Sequence, residues 1–219
     1  MIVVFLGPPG SGKGTQAEVL REQYGFTHFD TGSQLRAEVA SGSELGQRIA
    51  GFINAGQLVP LEVIKQLVVS FLRGTNAKRI LFDGFPRNLE QAGVLDEGLT
   101  ELGDDLDFVV YLDAAPDALL QRIVNRRFCP QCGEIYNLVT EPPLLAGKCD
   151  KCGSELTQRK DDTAEVFGTR LKVYLGETMP LIERYRSRGL LHAVNALQSI
   201  EELTAQITRL IGVAGGAEV

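Results

Sequence analysis

A glycine-rich segment that carries one lysine follows directly on an apolar run near the start of the chain. Ile2–Leu6 are five apolar residues without alternation, a pattern that predicts a strand buried on both faces. Residues 7–15 then read Gly-Pro-Pro-Gly-Ser-Gly-Lys-Gly-Thr, and helical spacing follows from Thr15. Between a strand and a helix, glycines can turn their backbone N–H groups inward, and the positive helix end completes a cradle for phosphate. With the mobile charge of Lys13, the segment predicts a P-loop rather than an ordinary glycine-rich turn.

Two positions bear on how a magnesium ion would be held beside such a loop. The general P-loop pattern places Ser or Thr directly after the lysine, whereas here Gly14 intervenes and the hydroxyl belongs to Thr15. Direct coordination of magnesium by this hydroxyl is therefore less favoured. Asp83 ends a predicted strand at 79–83, and a carboxylate at the carboxyl end of a buried strand is well placed to hold magnesium through water.

All four cysteines lie in two Cys-x-x-Cys pairs, each followed by glycine: Cys129, Cys132, Cys149 and Cys152. This spacing predicts a tetrahedral zinc site, and four protein ligands leave no open position, so the zinc would be structural. The alternatives are two disulfides or a redox pair, both less favoured in a chain kept reduced in the cytosol. A nucleic-acid-binding ribbon is also possible, but the intervening 134–148 lacks a basic and aromatic stripe.

Basic residues flank this cysteine segment on both sides. Arg126 and Arg127 precede it, and Arg159 begins an Arg-Lys-Asp-Asp run that follows it. The segment falls between a predicted helix and the next long helix, so it is an insertion into the core. Basic residues at both hinges predict a lid that closes over phosphates. A solvated charge cluster is the alternative, and the arginines alone would favour it.

Strands alternate with helices along the rest of the chain. Strands are predicted at 26–29, 79–83, 108–113 and 190–194, and helices at 34–40, 44–55, 61–73, 117–127, 164–188 (with a kink at Pro180) and 200–210. This order predicts an α/β fold: a doubly wound, parallel, five-stranded sheet with helices on both faces and ligands at its carboxyl edge. Glycines at 42, 46, 51 and 56 suggest that the helices around them form a flap. Residues 212–219 are predicted to be a frayed tail, and His28 and His192 to be ordinary strand residues.

The composition limits the classes of binding partner that we expect for this protein. The chain has 219 residues, 44% of them hydrophobic, which is ample for one core with insertions. A net charge of −6 argues against nucleic-acid binding. No apolar segment is long enough for export or for crossing a membrane, so we expect a cytoplasmic protein without a membrane partner.

Taken together, the motifs resemble the adenylate kinases, specifically the bacterial type with a long, zinc-bearing lid. The resemblance runs from Ile2 to about Leu210. Its pieces, in order, are 7–15, 31–36, 83–87 with Gln91, Arg122 with Arg126 and Arg127, 159–162, and 170–171. It implies a P-loop core of 1–29, 60–125 and 163–219, an AMP-binding flap at 30–59 and a zinc-binding lid at 126–162.

The resemblance also implies a function and a set of site residues. The reaction is reversible phosphoryl transfer from MgATP to AMP giving two ADP, with Mg²⁺ and structural Zn²⁺, in a monomer. ATP-binding residues would be Gly10, Ser11, Gly12, Lys13, Gly14, Thr15, Arg122, Arg126, Ile135, Tyr136 and Gln198. AMP-binding residues would be Thr31, Arg36, Gln57, Leu58, Val59, Gly84, Phe85, Arg87, Gln91, Arg159 and Arg170. The catalytic groups would be Lys13, Arg87, Arg126, Arg159 and Arg170, with Gln91 reading adenine.

The chemistry agrees with this inventory. An AMP phosphate oxygen is already an anion, so catalysis rests on alignment, charge neutralisation and water exclusion rather than on a general base. The chain departs from the family at three places: Ser33 stands where aspartate is common, Gly168 and Thr169 precede Arg170, and Asn195 begins Asn-Ala instead of Asp-Gly. The competing hypotheses are a kinase with another base preference and a regulatory module that binds nucleotide without turnover.

Overall fold

The computed structural model describes residues 1–213 and has one central sheet with helices on both faces. In chain order the elements are β1 (Ile2–Leu6), α1 (Lys13–Tyr24), β2 (Thr27–Asp30), α2 (Thr31–Ala40), α3 (Glu44–Asn54), α4 (Leu61–Gly74), β3 (Ile80–Asp83), α5 (Leu89–Leu102), β4 (Phe108–Asp113), α6 (Pro116–Val124), β5 (Arg126–Phe128), β6 (Ile135–Asn137), α7 (Ala164–Val173), a π-helical turn (Tyr174–Thr178), α8 (Pro180–Ser187), β7 (Leu191–Asn195) and α9 (Ile200–Leu210).

The sheet has the order β2-β3-β1-β4-β7, and all of its neighbouring strands are parallel. The chain leaves β1 toward one edge through β2 and returns across it to reach β4, so the strand order reverses at β1. The prediction of a doubly wound, five-stranded parallel sheet is confirmed. In such sheets the crevice outside the carboxyl ends at the reversal point is the usual ligand site, and the glycine loop lies there.

Two apolar layers cover the two faces of the sheet. Val4 of β1 packs in the layer that contains Phe82, while its neighbour Phe5 packs in the opposite layer with Leu20 of α1 and Ile207 of α9. Successive side chains of a strand point to opposite faces, so a strand covered on both sides must be apolar throughout. The run at Ile2–Leu6 is buried at every position for this reason.

The main differences from the predicted elements concern the end of helix α6, helix α5 and the tail. The helix predicted at 117–127 ends at Val124, because Arg126–Phe128 pairs as an antiparallel strand with Ile135–Asn137 across the cysteine turn. Helix α5 is not among the predicted elements, although Asn88 caps it through a hydrogen bond to the N–H of Gln91. At the tail, the backbone N–H of Val213 donates to Thr208 and its side chain is buried, whereas 214–219 lie outside the described residues.

The helix predicted at 164–188 is divided rather than simply kinked. Pro180 has no N–H and its ring crowds the carbonyl four residues earlier, so an α-helix cannot continue through it. The π-helical turn Tyr174–Thr178 absorbs the break, and Met179 N donates to Tyr174 O at 3.0 Å across the wider loop. Within residues 1–213, no helix is both long and apolar enough to cross a membrane.

Candidate active site

The glycine loop places the Lys13 ammonium at the carboxyl end of β1. Gly10 and Gly12 have φ of 86° and 91°, values that side-chain-bearing residues rarely adopt. At Gly10 a Cβ would also lie 3.1 Å from Ile123 Cγ1, so the loop is closed to larger residues there. Lys13 Nζ donates to Gly7 O at 2.8 Å and to Pro8 O at 3.0 Å.

Burial governs the electrostatics of this ammonium. The pKa of Lys13 is lowered to about 8: desolvation is the largest cause, the charge of Asp83 opposes it, and the charges of Arg87, Arg170 and Arg126 add to it. Several like charges therefore converge on one point without phosphate between them. An anion bound there would relieve this repulsion.

A cavity of about 310 Å³ opens in front of the loop. Most residues predicted to bind ATP line it, namely Gly10, Gly12, Lys13, Gly14, Thr15, Arg122, Arg126, Ile135 and Tyr136. Ser11 is buried beneath the loop and accepts a hydrogen bond from Lys13 Nζ at 3.3 Å. Gln198 does not line the cavity; its Nε2 donates to Asn195 O at 3.1 Å and to Gln206 Oε1 at 2.9 Å. The role of Gln198 in ATP binding stays a prediction.

A smaller cavity of about 50 Å³ adjoins the first on the side of α2. It is lined by most residues predicted to bind AMP, namely Thr31, Arg36, Gln57, Leu58, Val59, Gly84, Arg87, Gln91 and Arg170. Arg159 lines the larger cavity instead, and Phe85 is fully buried among aromatic rings beneath the site. Arg36, Arg87 and Arg170 line both cavities, so they lie where two ligands would meet.

Gln91 has one end of its amide already engaged. Its Oε1 accepts a hydrogen bond from Arg87 N at 2.8 Å, and the side chain is buried. The Nε2 group has no hydrogen-bond partner among residues 1–213 and is the end available to a ligand in the smaller cavity. An amide could in principle donate and accept, but this network presents Gln91 as a donor, which suits an acceptor atom such as adenine N1.

Two buried carboxylates hold the arginines contributed by the cysteine segment and by α7. Arg126 donates to Asp162 through Nε and Nη2, and Asp161 Oδ2 lies 2.8 Å from Arg170 Nη2. Both carboxylates are at most 4% exposed, so the alternative of a solvated charge cluster does not describe Arg126, which pairs with buried Asp162. Arg159 Nε is buried without a partner among residues 1–213, and burial together with Arg126 lowers the pKa of Arg159 to about 10. These donors are arranged for an anion.

Asp83 lies beside the glycine loop, with its Oδ2 3.5 Å from where a Cβ on Gly14 would sit. The same oxygen is 3.7 Å from Nε2 of His28, so this strand residue has an acid beside it. Burial lowers the pKa of His28, but the negative charge of Asp83, with those of Asp30 and Glu18, outweighs it and raises the pKa overall. Parallel pairing of His28 with Leu81 puts His28 and Asp83 on one face of adjacent strands. This contact could be predicted only with knowledge of the register of β2 on β3.

Some residues that line the larger cavity belong to no recognisable motif, and the sequence did not predict them as site residues. Asn137 Oδ1 accepts from the backbone N–H groups of Val139 at 3.0 Å and Thr140 at 3.2 Å, which folds 137–141 into a tight turn. The turn brings Thr140 and Glu141 to the wall of the larger cavity. An Asn followed by polar residues is the available sequence signal, and it is too common to identify a site.

The four cysteine sulfurs come together as predicted. All lie within 4.8 Å of one another, with contacts of 3.4 Å between Cys129 and Cys152 and 3.5 Å between Cys132 and Cys149. These distances exceed a disulfide bond of about 2.05 Å and approach the roughly 3.8 Å edge of a tetrahedron around zinc with 2.3 Å Zn–S bonds. The group can hold a metal ion with all four ligands from the chain. The Tyr136 hydroxyl, 3.5 Å from Cys149 Sγ, links this cluster to the larger cavity.

Comparison with known proteins agrees with this geometry. A family model described as "Adenylate kinase" matches residues 5–190. The adenylate kinase of Thermosipho melanesiensis is 42% identical over 212 residues, covering 96% of this chain and 99% of that protein. The adenylate kinase of Thermodesulfovibrio yellowstonii is 43% identical with the same coverage, and that of a Geobacillus species is 42% identical over 97% of this chain and 99% of its own. With the P-loop, the two adjoining cavities and the four-cysteine cluster, these matches show that the chain belongs to the adenylate kinase family.

Proposed function

We propose that the chain transfers the terminal phosphoryl group of MgATP to AMP, giving two ADP, with ATP in the larger cavity and AMP in the smaller one. The observation that carries this assignment is the position of Arg36, Arg87 and Arg170 on the walls of both cavities. Groups shared by two nucleotide sites can bind a phosphoryl group throughout its transfer.

The roles of the individual residues follow from their positions. The loop N–H groups and Lys13 bind the ATP phosphates, Arg36 and Arg87 bind the AMP phosphate, and Arg126, Arg159 and Arg170 stabilise the charge on the moving group. When bound, magnesium would neutralise charge on the ATP phosphates, and Asp83 is the carboxylate that fits it through water. His28 does not line either cavity, in keeping with a reaction that needs no general base.

Residues 126–162 act in this proposal as a zinc-bearing lid and 30–59 as the AMP-binding flap. Strand β6 covers the larger cavity. The Lys151 ammonium lies 2.6 Å from a carboxylate oxygen of Glu134 and 3.2 Å from one of Glu22 in α1, so it connects this segment to the core. Covering the phosphates excludes water that would otherwise hydrolyse ATP. The thiolate set favours zinc. We further infer a cytoplasmic monomer that acts on free nucleotides without nucleic-acid or membrane partners, as the net charge of −6 suggests.

The direct test is ADP formation from MgATP in parallel wells that contain AMP, CMP, UMP or GMP. We expect turnover with AMP and near-background rates with the others, since Gln91 Nε2 and Thr31 face the acceptor cavity. A well without acceptor measures hydrolysis. Turnover with another acceptor alone would retain phosphoryl transfer and overturn the AMP assignment. Absence of ADP from folded, metal-loaded protein would contradict the proposed function and favour a nucleotide-binding module.

The lowered pKa of Lys13 leads us to predict how kcat/KM for ATP depends on pH. In the nucleotide-free enzyme this pKa is about 8, so the ammonium loses its charge as pH rises through that value. We therefore expect kcat/KM for ATP to fall above pH 8, by about tenfold per pH unit. Because bound phosphate favours the charged form, kcat should decline at higher pH than kcat/KM. Profiles from pH 7 to 9.5 would check this.

The control is Lys13→Arg, whose guanidinium stays charged throughout that range. Its activity will be lower, but its profile should lose the inflection near pH 8. A native profile that is flat to pH 9.5 would contradict the assignment of the ammonium to ATP binding.

A further inference from the structure

We infer that Asp30 is a positioning residue for binding of the acceptor nucleotide: it orients Arg36 toward the acceptor phosphate through the hydroxyl of Ser33. The inference rests on the proposed function, since it assigns the smaller cavity to the acceptor nucleotide. It also concerns a residue outside every motif that the sequence singled out.

Asp30 does two things with its two oxygens. It stands at the end of β2 as the N-cap of α2, where Oδ1 accepts a hydrogen bond from Ser33 N at 3.1 Å. Its Oδ2 accepts from the Ser33 hydroxyl. A cap needs only one acceptor oxygen, and Asn, Ser or Thr would supply it as well. The second oxygen and the negative charge are therefore available for another purpose.

The second oxygen is directed toward Arg36. Arg36 Nη2 donates to Ser33 Oγ at 3.1 Å and lies 3.8 Å from Asp30 Oδ2, so the three side chains form a chain across the first turns of α2. Gly32 leaves room for this arrangement, because a Cβ there would lie 2.9 Å from Arg36 Nη1 and 3.2 Å from Asp30 Oδ1. The guanidinium is thus held in one place on the wall of both cavities.

Charge gives a reason for the arrangement. Arg36 lies near the positive end of α2 and shares the cavity with Arg87, Arg159 and Arg170. Without acceptor phosphate, these charges would drive the Arg36 side chain away toward water. Asp30 offsets that repulsion, and Ser33 holds the distance at which the arginine still faces the cavity.

The same geometry resolves one departure from the family pattern. Ser33 stands where aspartate is common in the family, so position 33 itself carries no charge. Here the carboxylate comes from three residues earlier in the chain, and Ser33 relays it to Arg36. The charge is moved rather than lost.

Asp30→Asn is the sharpest test, because asparagine caps a helix as well as aspartate does but carries no charge. We expect KM for AMP to rise about tenfold, the effect of losing one hydrogen bond to a charged group. Both kcat and KM for ATP should stay within about twofold, and the melting temperature within about 2 °C. Ser33→Ala, which keeps the carboxylate and removes the relay, should raise KM for AMP in the same direction.

A double variant that restores the carboxylate distinguishes positioning of Arg36 from a general effect of charge on AMP binding. In the double variant Asp30→Ser with Ser33→Asp, serine takes over the cap and the carboxylate moves one helical turn closer to Arg36, so KM for AMP should return to within about threefold of native. Asp96→Asn is the matched control, because it removes a carboxylate from Arg184, at 2.6 Å, outside both cavities. This control should leave KM for AMP unchanged.

The outcomes are distinct. An active native enzyme whose Asp30→Asn variant shows unchanged or lower KM for AMP would leave Asp30 as a cap only and overturn the inference. An equal rise in KM for ATP would overturn it too. If the native chain makes no ADP, the proposed function fails, but calorimetric titration with AMP still decides: a tenfold loss of affinity in Asp30→Asn supports positioning of Arg36, and equal affinity refutes it.

Discussion

Replacing Arg170 by lysine is expected to lower kcat by about 10²- to 10³-fold, the cost of removing one donor aligned with developing charge. Arg170 Nη2 is 2.8 Å from Asp161, Nη1 is 3.8 Å from Asp162, and the flap residue Gly56 packs on its stem, where a Cβ would lie 2.8 Å from Arg170 Cγ. The side chain is therefore fixed along its length. Lysine retains the charge but lacks the planar fork that binds two phosphate oxygens at once.

Steady-state kinetics with ATP and AMP varied separately would measure this effect. Because the lost contact belongs to the moving phosphoryl group, kcat should fall far more than either KM rises. Arg184→Lys is the matched control, since Arg184 also pairs with a carboxylate but lines neither cavity. A variant at Arg170 whose kcat stays within about threefold of native would exclude it from the transition state.

Replacing Cys129 by serine is expected to abolish stoichiometric zinc binding and to lower the melting temperature by about 5 °C or more, since structural zinc contributes folding free energy directly. The segment 126–162 has little apolar core of its own: Cys129, Cys149 and Tyr136 are its buried cluster, with Leu156 against it. Cys129 is fully buried, so no solvent-exposed ligand can replace it easily. The arginines that act on phosphate lie outside this cluster, and kcat at low temperature should fall less than stability does.

Metal analysis, calorimetric melting and turnover at 15 °C would be measured on the same preparations. Ser154→Ala is a suitable control, because its hydroxyl contacts Cys152 Sγ at 3.4 Å without being a ligand. Native zinc content and melting in Cys129→Ser would show that the cluster does not hold the lid. A loss of kcat as large as that expected for Arg170→Lys would show that it serves the chemistry.

Local patterns were sufficient where one segment carried its own signal. Strands Ile2–Leu6 and Phe108–Asp113 and helix Ile200–Leu210 match their predicted bounds, because each is bordered by turn or capping residues and has an unambiguous period. The cysteine cluster was predictable for the same reason, since ligand spacing is a local property. Each of these features could be read from one continuous stretch of sequence, the longest being the cysteine segment at 129–152.

Features that depend on two distant segments were not predictable. Strand β5 exists only because 126–128 pairs with 135–137, and in isolation its arginines read as the end of a helix. The contact of His28 with Asp83 requires the register of β2 on β3. Asp30 lies just after the strand predicted at 26–29, and its link to Arg36 depends on side-chain directions over the first turns of α2. Such relations follow from tertiary packing, which no single-segment pattern contains.

The ion pair between Lys151 and Glu22 bears on the timing of the proposed catalytic cycle. Lys151 lies between Cys149 and Cys152 of the four-cysteine cluster, and its ammonium reaches Glu22 on the helix that begins at the glycine loop. A pair this exposed contributes about 0.2–1 kcal/mol, which would change the ratio of shut to open enzyme by at most about fivefold. If residues 126–162 act as the proposed lid, a bias of this size would prolong the covered state during transfer and still let ADP escape. The pair of Lys151 with Glu22 would then influence how long the lid stays shut.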